Sequence, residues 1–473
     1  MNGVTGLLQN KVFFIFTPID TKYQDALTHY APSLGLVALE NYLYIHNISV
    51  EIIDGSVIYS KEEIIDLLLR EKPLYVGQSV QLISYKNSLE IASVVHSYGG
   101  RNVLGGHHAT QMCDAIMTNH GDIIDYIIVG DGELAWYSLL LGVKIPDIPN
   151  IVYKSNGVIY HNRILELDLN SLPTIDYSRI DLTPYMHNLS KSNFSDNVYT
   201  NYLRVYSHKG CGNRINGNGC IFCGRADRNV RFKSPQNFWR DILHCVNEQN
   251  ADYIFDVGDD FLFSTQFLVE MLEIKPKNLK KYDMGIFGRA NRITPYSSEL
   301  LRKIGVVDVT IGFESGDNFV LKNCNKAFSS PEQNINAVDY LTREGIDITA
   351  SYVLGMPGET KESVKNTIAN AKKVVEMINK RLGRQPKELV ANLLEPTPGS
   401  PAYKALVNAY PEKYYLKDFI DLEEMQRDYF KLFFGLDTLQ KYLSFRSMLS
   451  EAAKEIHSMV GFSDAQGWLS QEI

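Results

Sequence analysis

Along the first 150 residues, short apolar runs alternate with segments whose apolar positions recur every three or four residues. "KVFFIFTPI", "SVEIIDG", "LYVGQSV", "RNVLGG" and "DYIIVGDG" are runs that end in a small or polar residue, the mark of buried strands. Between them, "SLGLVALENYLYIH", "KEEIIDLLLREK" and "NSLEIASVVHSY" carry the i, i+3, i+4 spacing of helices. Strands without a polar face, alternating with helices, predict a parallel sheet covered on both sides: a doubly wound α/β domain over residues 1–150. Ligands of such sheets bind beyond the carboxyl ends of the strands. Gly55, Gly77, Gly105, Gly106, Gly130 and Gly132 fall at or just past the predicted ends. There a glycine serves either a tight turn or the close approach of a flat ligand.

The alternation lapses between residues 151 and 200. "YKSNGVIYHNRI" reads as a small hairpin and "LNSLPTIDYSRIDLTPY" as an extended, proline-punctuated connector, so the domain boundary falls here. From residue 201 to 410 the alternation returns with six strand patterns: "YLRVYS", "DYIFDVGD", "DMGIFGR", "VVDVTIGFES", "DITASYVLG" and "ELVANLLEP". Helical segments separate them, several preceded by the serine or proline that caps a helix start. Six such units predict a partial (β/α)6 TIM barrel, with its chemistry at the C-terminal ends of the strands. Residues 411–473 read as a small, aromatic-rich helical region, a lid or an oligomer contact.

Composition narrows the class. The chain has 473 residues, 45% hydrophobic and 22% charged, as ordinary globular proteins do. A net charge of −8 argues against a nucleic-acid partner. No run approaches the roughly 18 apolar residues of a membrane span, and the N-terminus lacks a secretory pattern. Six unevenly spaced cysteines are no disulfide framework. The expectation is a soluble protein of the cytoplasm with no membrane partner.

Three of those cysteines, Cys211, Cys220 and Cys223, share a glycine-rich loop, "GCGNRINGNGCIFCGR", just after the first barrel strand. Thiolates in short loops hold iron–sulfur clusters, and three on a four-iron cluster leave one iron open. A zinc site would need a fourth ligand, with His208 the nearest, and unligated buried thiols remain a third reading. From Arg204 to Lys233 there are seven Lys or Arg against one acid, Asp227, a local field suited to an anion or a ligand carboxylate. Cys113 and Cys245 lie in helix-like stretches and read as core.

The ordered motifs resemble those of radical S-adenosylmethionine (SAM) enzymes, and more narrowly those with an N-terminal cobalamin-binding domain of Rossmann-like form. The likeness runs over residues 10–410. The cysteine loop resembles the family's cluster loop, "VTIGFESG" its fourth-strand motif, "YVLGMPGET" its fifth-strand turn and "LEPTPGSPAY" its sixth-strand exit. "PSLGLVALENYL", "VLGGHHAT" and "IIVGDGE" look like the cobalamin-domain signatures. The resemblance implies a [4Fe-4S] cluster on the three cysteines, with SAM on the open iron, cleaved to a 5′-deoxyadenosyl radical. It implies Phe222 at the adenine, and Asp259 or Asp260, Arg289, Glu314 and Ser315 lining the SAM pocket. Gly355 and Gly358 would admit the ligand to the backbone. About the corrin it implies Ser79, Gly105, Gly106, His107, Gly130 and Glu133.

Two departures stand out. The family spaces its cysteines C-x3-C-x2-C, whereas here the first gap holds eight residues through the insertion "NRINGNG". The first domain also lacks an aspartate-x-histidine-x-x-glycine motif, so cobalamin would bind without that lower-face histidine; His107 and His108 are the nearby imidazoles. Cys324, shortly after the fourth strand, is placed to donate a hydrogen atom to a substrate radical and joins Glu314 as a catalytic candidate. The favoured activity is cobalamin-dependent C-methylation of a specialised metabolite or modified peptide. The alternatives are a radical SAM peptide epimerase using Cys324 with a vestigial cobalamin domain, and a non-catalytic cobalamin or zinc carrier. A flavodoxin or ferredoxin is the expected electron donor.

Overall fold

The computed structural model describes residues 11–26, 29–192, 198–215, 219–227, 229–326 and 328–460. The chain divides into two compact units: residues 1–192 with 410–420, and residues 193–409 with 421–473.

In the first unit, β1 (Val12–Phe16), β2 (Glu51–Asp54), β3 (Tyr75–Ser79), β4 (Arg101–Gly105) and β5 (Tyr126–Ile128) form the parallel part of a sheet ordered β2-β1-β3-β4-β5. The alternation along β1 shows why it is apolar throughout. Phe14 and Phe16 enter a core with Leu36, Leu43 and Trp136, while Phe13 and Ile15 enter another with Ile64, Leu68 and Ile91. Helices cover both faces, the geometry that makes near-continuous apolar strands necessary. One of them, Lys61–Glu71, starts on a capping box in which Ser60 and Glu63 satisfy each other's backbone N–H groups. The 151–200 stretch, read as a connector, does not stand apart at its start. β6 (Ile151–Ser155) and β7 (Val158–His161) extend the same sheet antiparallel beyond β5.

In the second unit, β8 (Tyr202–Val205), β11 (Tyr253–Asp256), β12 (Asp283–Gly288), β13 (Val306–Glu314), β14 (Asp347–Leu354) and β15 (Glu388–Leu393) pair in sequence order, every pair parallel. A short antiparallel ribbon, β9 (His208–Lys209) with β10 (Arg231–Phe232), brackets the cysteine loop. Ser234, Ser264, Thr294, Ser330 and Thr360 each cap the helix that follows by accepting a first-turn N–H. Near the strand starts, Tyr253 donates to Asp308 at 2.6 Å and Lys387 lies 3.4 Å from the same carboxylate, so polar groups fill that end.

The C-terminal region was expected to be a lid or an oligomer contact. Its last described helix, Leu439–Ser458, instead serves the sheet: the edge strand β15 donates from Ala391 N to His457 Nε2 at 2.9 Å. An unpaired edge invites pairing with other chains, and this helix covers it. Among the described residues, no helix is long and apolar enough to cross a membrane.

Candidate active site

The cysteine loop leaves β8 and is held by two later parts of the second unit. Ile221 N donates to Cys324 O at 3.1 Å, and Asn325 Nδ2 donates to Gly219 O at 3.1 Å. On the other side Ala402 N donates to Ile221 O at 2.9 Å, and a Cβ on Gly224 would stand 2.7 Å from Pro398 O. The first-strand loop is therefore clasped by the fourth-strand and sixth-strand exits. Phe222 sits half-buried in the tight turn closed by Cys223 N to Cys220 O at 2.9 Å.

Each thiol has its own polar neighbour. Arg289 Nη2 lies 2.6 Å from Cys211 Sγ, Asn213 Nδ2 is 3.2 Å from Cys220 Sγ and Arg214 Nη1 is 3.3 Å from Cys223 Sγ. A tetrahedral zinc with Zn–S near 2.3 Å puts its sulfurs about 3.8 Å apart. Among the described residues the three that bring ligand atoms within 4.8 Å of one another are Cys113, Asp114 and His161, not the loop cysteines. Wider separation suits ligands on different irons of one cluster. His208 is no fourth zinc ligand either. Its Nε2 accepts from Asp260 N at 3.0 Å, which leaves the proton on Nδ1, 2.8 Å from Ser207 Oγ. Ser207 Oγ in turn donates to Asp256 at 2.7 Å.

Part of the basic field expected over the loop is spent internally. Arg214 and Arg225 both pair with Asp259 at 2.9 Å, and the buried Lys233 pairs with Asp241. Burial alone would raise the Asp259 carboxyl, yet Arg225 and Arg214 together hold it below the usual carboxylate range. Asp260, 1% exposed, faces Arg292 at 3.0 Å and Arg289 at 3.4 Å. Burial dominates there, and its pKa stays raised. These acids and cations gather at the carboxyl ends of β8, β11 and β12.

Glu314 ends β13 with φ +60°, a left-handed conformation that costs a non-glycine residue about 1–3 kcal/mol. Its carboxylate is buried against Lys326 Nζ at 2.5 Å, and Lys326 also donates to Gly312 O at 2.8 Å. Glu395, missed in the sequence, is half-buried at the exit of β15, where burial pushes its carboxyl up to about 7.

Other expected residues turn elsewhere. Ser315 is fully buried, with its hydroxyl 3.3 Å from Thr367 Oγ1 on the outer helix Lys361–Leu382, so it packs the barrel wall. Gly355 and Gly358 have φ of +86° and +83°, but the atoms a side chain would strike belong to this chain. A Cβ would stand 2.9 Å from Phe430 at Gly355 and 2.4 Å from Asn323 at Gly358. The turn and its packing are enough to require glycine at both positions. Cys324 is fully buried and donates to Leu321 O at 3.2 Å, and burial pushes its thiol up to about 12. A thiol with no exposed surface has no face to present to a substrate.

In the first unit the strand ends form a second candidate site. Gly130 has open space where a side chain would be, and a Cβ on Gly105 would find only Ile128 O, at 3.9 Å. Gly106, at φ +87°, is held against Val80, where a Cβ would stand 2.9 Å from both backbone N and O. Ser79 ends β3 half-buried beside it, and His107 is exposed. This open, glycine-lined rim fits a flat macrocycle. His108 does not face it as a free ligand: its Nε2 bonds Asp418 O at 2.8 Å, and its ring lies on Tyr85. Gly55, Gly77 and Gly132 answer to packing instead, Gly77 lying under Trp136. Glu133 is 3% exposed in the first turn of the helix Glu133–Leu140, inside the unit and beside Tyr42.

Residues 205–371 match the family profile of the Radical SAM superfamily, and residues 25–140 match the B12 binding domain. An uncharacterized methyltransferase of Pyrococcus horikoshii is 23% identical over 377 residues, 77% of this chain and 78% of that protein. The cobalamin-dependent S-adenosylmethionine radical enzyme OxsB, solved with aqua-cobalamin and S-adenosylmethionine bound, superposes with a TM-score of 0.68 at 16% identity. That match covers 95% of this chain and 72% of OxsB. The radical S-adenosylmethionine methyltransferase TsrM from Kitasatospora setae superposes at 0.66 and 15% identity, over 84% of this chain and 78% of that one. At these identities the structural likeness is one of fold.

Proposed function

We propose that this chain, a radical SAM enzyme that also carries a B12-binding domain, methylates an unactivated carbon in a cobalamin-dependent reaction. Its cofactors are a [4Fe-4S] cluster, SAM and cobalamin. When bound, these groups supply reductive cleavage of SAM to a carbon-centred radical and a methyl group for transfer. The chain's own residues bind and orient. Cys211, Cys220 and Cys223 would hold three irons and leave the fourth to the amino and carboxylate groups of SAM. Asp260, Arg289 and Arg292 supply charges of both signs at the same strand ends to receive those groups. Gly105, Gly106 and Gly130 keep the first unit's rim clear for the corrin.

The observation that carries this reading is the thiol triad of one loop, each member with its own donor, in a chain whose other unit has the open glycine rim. Methylation is favoured over epimerisation by the methyltransferase relative and by the burial of Cys324. The carrier reading loses its zinc site with His208. The substrate class we favour is a specialised metabolite or modified peptide, with a flavodoxin or ferredoxin as electron donor in the cytoplasm.

The test is anaerobic reconstitution of protein grown with hydroxocobalamin. About four irons and four sulfides per chain and a corrin absorbance band are expected. Incubation with reductant and SAM should then release 5′-deoxyadenosine, and Cys220→Ala should abolish it. Stoichiometric zinc without iron would sink the radical reading. No corrin band would sink the methyl-transfer reading.

A further inference from the structure

The stretch between Cys211 and Cys220 supplies donors to two of the three thiols. Residues 216–218 of the insertion lie outside the described residues, but Asn213 and Arg214 are fixed. Asn213 Nδ2 reaches Cys220 Sγ at 3.2 Å and Asn325 O at 3.2 Å. Arg214 divides its guanidinium: Nη1 donates to Cys223 Sγ at 3.3 Å, while Nη2 holds Asp259 at 2.9 Å and lies 3.6 Å from Asp227. The Arg214 side chain is 9% exposed, so its charge is little screened by water. Two of the three thiols therefore take their donors from the stretch that follows the first cysteine.

Hydrogen bonds to the cysteine sulfurs, together with nearby charge, tune the potential of an iron–sulfur cluster. Gaining one electron makes the cluster more negative, and a buried cation beside a ligand sulfur favours that state. We infer that Arg214, held in place by Asp259, is a positioning residue that raises the reduction potential of the cluster. Asn213 adds a neutral donor to the same effect. Asn213 and Arg214 thus form a tuning element that lets a milder one-electron donor reduce the cluster. The inference rests on the radical SAM reading above and adds a role for residues that the cysteines alone do not require.

The experiment is a redox titration of the reconstituted full-length protein with dithionite, followed by the electron paramagnetic resonance signal of the reduced cluster. Arg214→Gln should shift the oxidised-to-reduced ratio at the wild-type midpoint from one to about ten, a fall of about 59 mV for a one-electron couple. Arg214→Lys keeps the charge but not the forked contact and should fall by less. If Arg214→Gln and Arg214→Lys hold four irons and titrate at the wild-type potential, the inference is overturned. If both lose iron while wild type keeps it, Arg214 is a folding element of the loop and the inference is equally overturned. Should wild type itself bind no four-iron cluster, the radical SAM reading fails first, and iron analysis tells that failure apart.

Discussion

Asp418 is the residue whose replacement most directly tests how the first unit holds its ligand loop. Residues 410–420 return to that unit after the barrel, and Asp418 is their anchor. Its carboxylate accepts from Tyr85 OH at 2.7 Å and Asn119 Nδ2 at 2.7 Å, and lies 3.0 Å from His120 Nε2. Its backbone carbonyl bonds His108 of the "GGHHAT" loop. Asp418→Ala would leave the Tyr85 hydroxyl, on a fully buried side chain, without its charged acceptor. Such a loss costs about 1.5–3 kcal/mol. Asn119 is exposed and His120 half-buried, so water replaces their partner, and together they add no more than about 1 kcal/mol. The expected loss is about 1.5–4 kcal/mol. Tyr85→Phe in the Asp418→Ala background removes the orphaned hydroxyl, so the two changes should couple by about 1.5–3 kcal/mol. The assay is urea unfolding read by amide hydrogen exchange in the helix Tyr85–Ser97, so that the first unit is scored by itself. Additivity within about 0.5 kcal/mol would refute the reasoning, because it would mean that Tyr85 and Asp418 do not depend on each other.

Further outcomes follow from the same geometry. Gly106→Ala meets both left-handed strain and the Val80 backbone, whereas Gly130→Ala meets strain alone, so thermal melts should place Gly106→Ala clearly lower; equal melting temperatures would contradict this. Burial pushes His108 and His208 down to about 4, against about 6.5 when unfolded. The unfolded chain therefore binds more protons, and each histidine's contribution is complete above pH 6.5 and lost as pH falls toward 4. Between pH 7 and 5 the loss is about 2 kcal/mol per site. The stability gap between wild type and His108→Gln should narrow by that amount, and a gap that is flat or widens on acidification would refute it. Cys324→Ser should leave iron content and 5′-deoxyadenosine yield unchanged while lowering stability by about 1 kcal/mol, since the thiol packs and donates to a carbonyl; loss of SAM cleavage would show that Cys324 acts at the site.

Much of the architecture was legible from the chain alone. The five strand patterns of the first 150 residues and the six that follow residue 201 all form strands, because a parallel strand buried on both faces must be apolar throughout. Phe13 to Phe16 show this in four consecutive residues. The cysteine loop was legible for a chemical reason, since thiolate ligands are few and their spacing is short. The glycines were not. At Gly355, Gly358 and Gly77 a side chain would strike Phe430, Asn323 and Trp136, partners 35 to 75 positions away that no local pattern names.

The charges show the same division. Local counting found seven cations against Asp227 and so predicted an open basic field. Asp259 and Asp241 arrive from later in the chain and pair with three of those seven, Arg214, Arg225 and Lys233. Spacing fixed which sulfurs share a loop; it left open whether the eight-residue gap could close. The tertiary structure brings Asp259 from beyond β11 and Asn325 from the β13 exit to pin Arg214, Asn213 and Gly219, on either side of residues 216–218. Periodicity and ligand chemistry are properties of neighbours along the chain, whereas the electrostatics of a site belong to whatever the fold brings within a few ångströms.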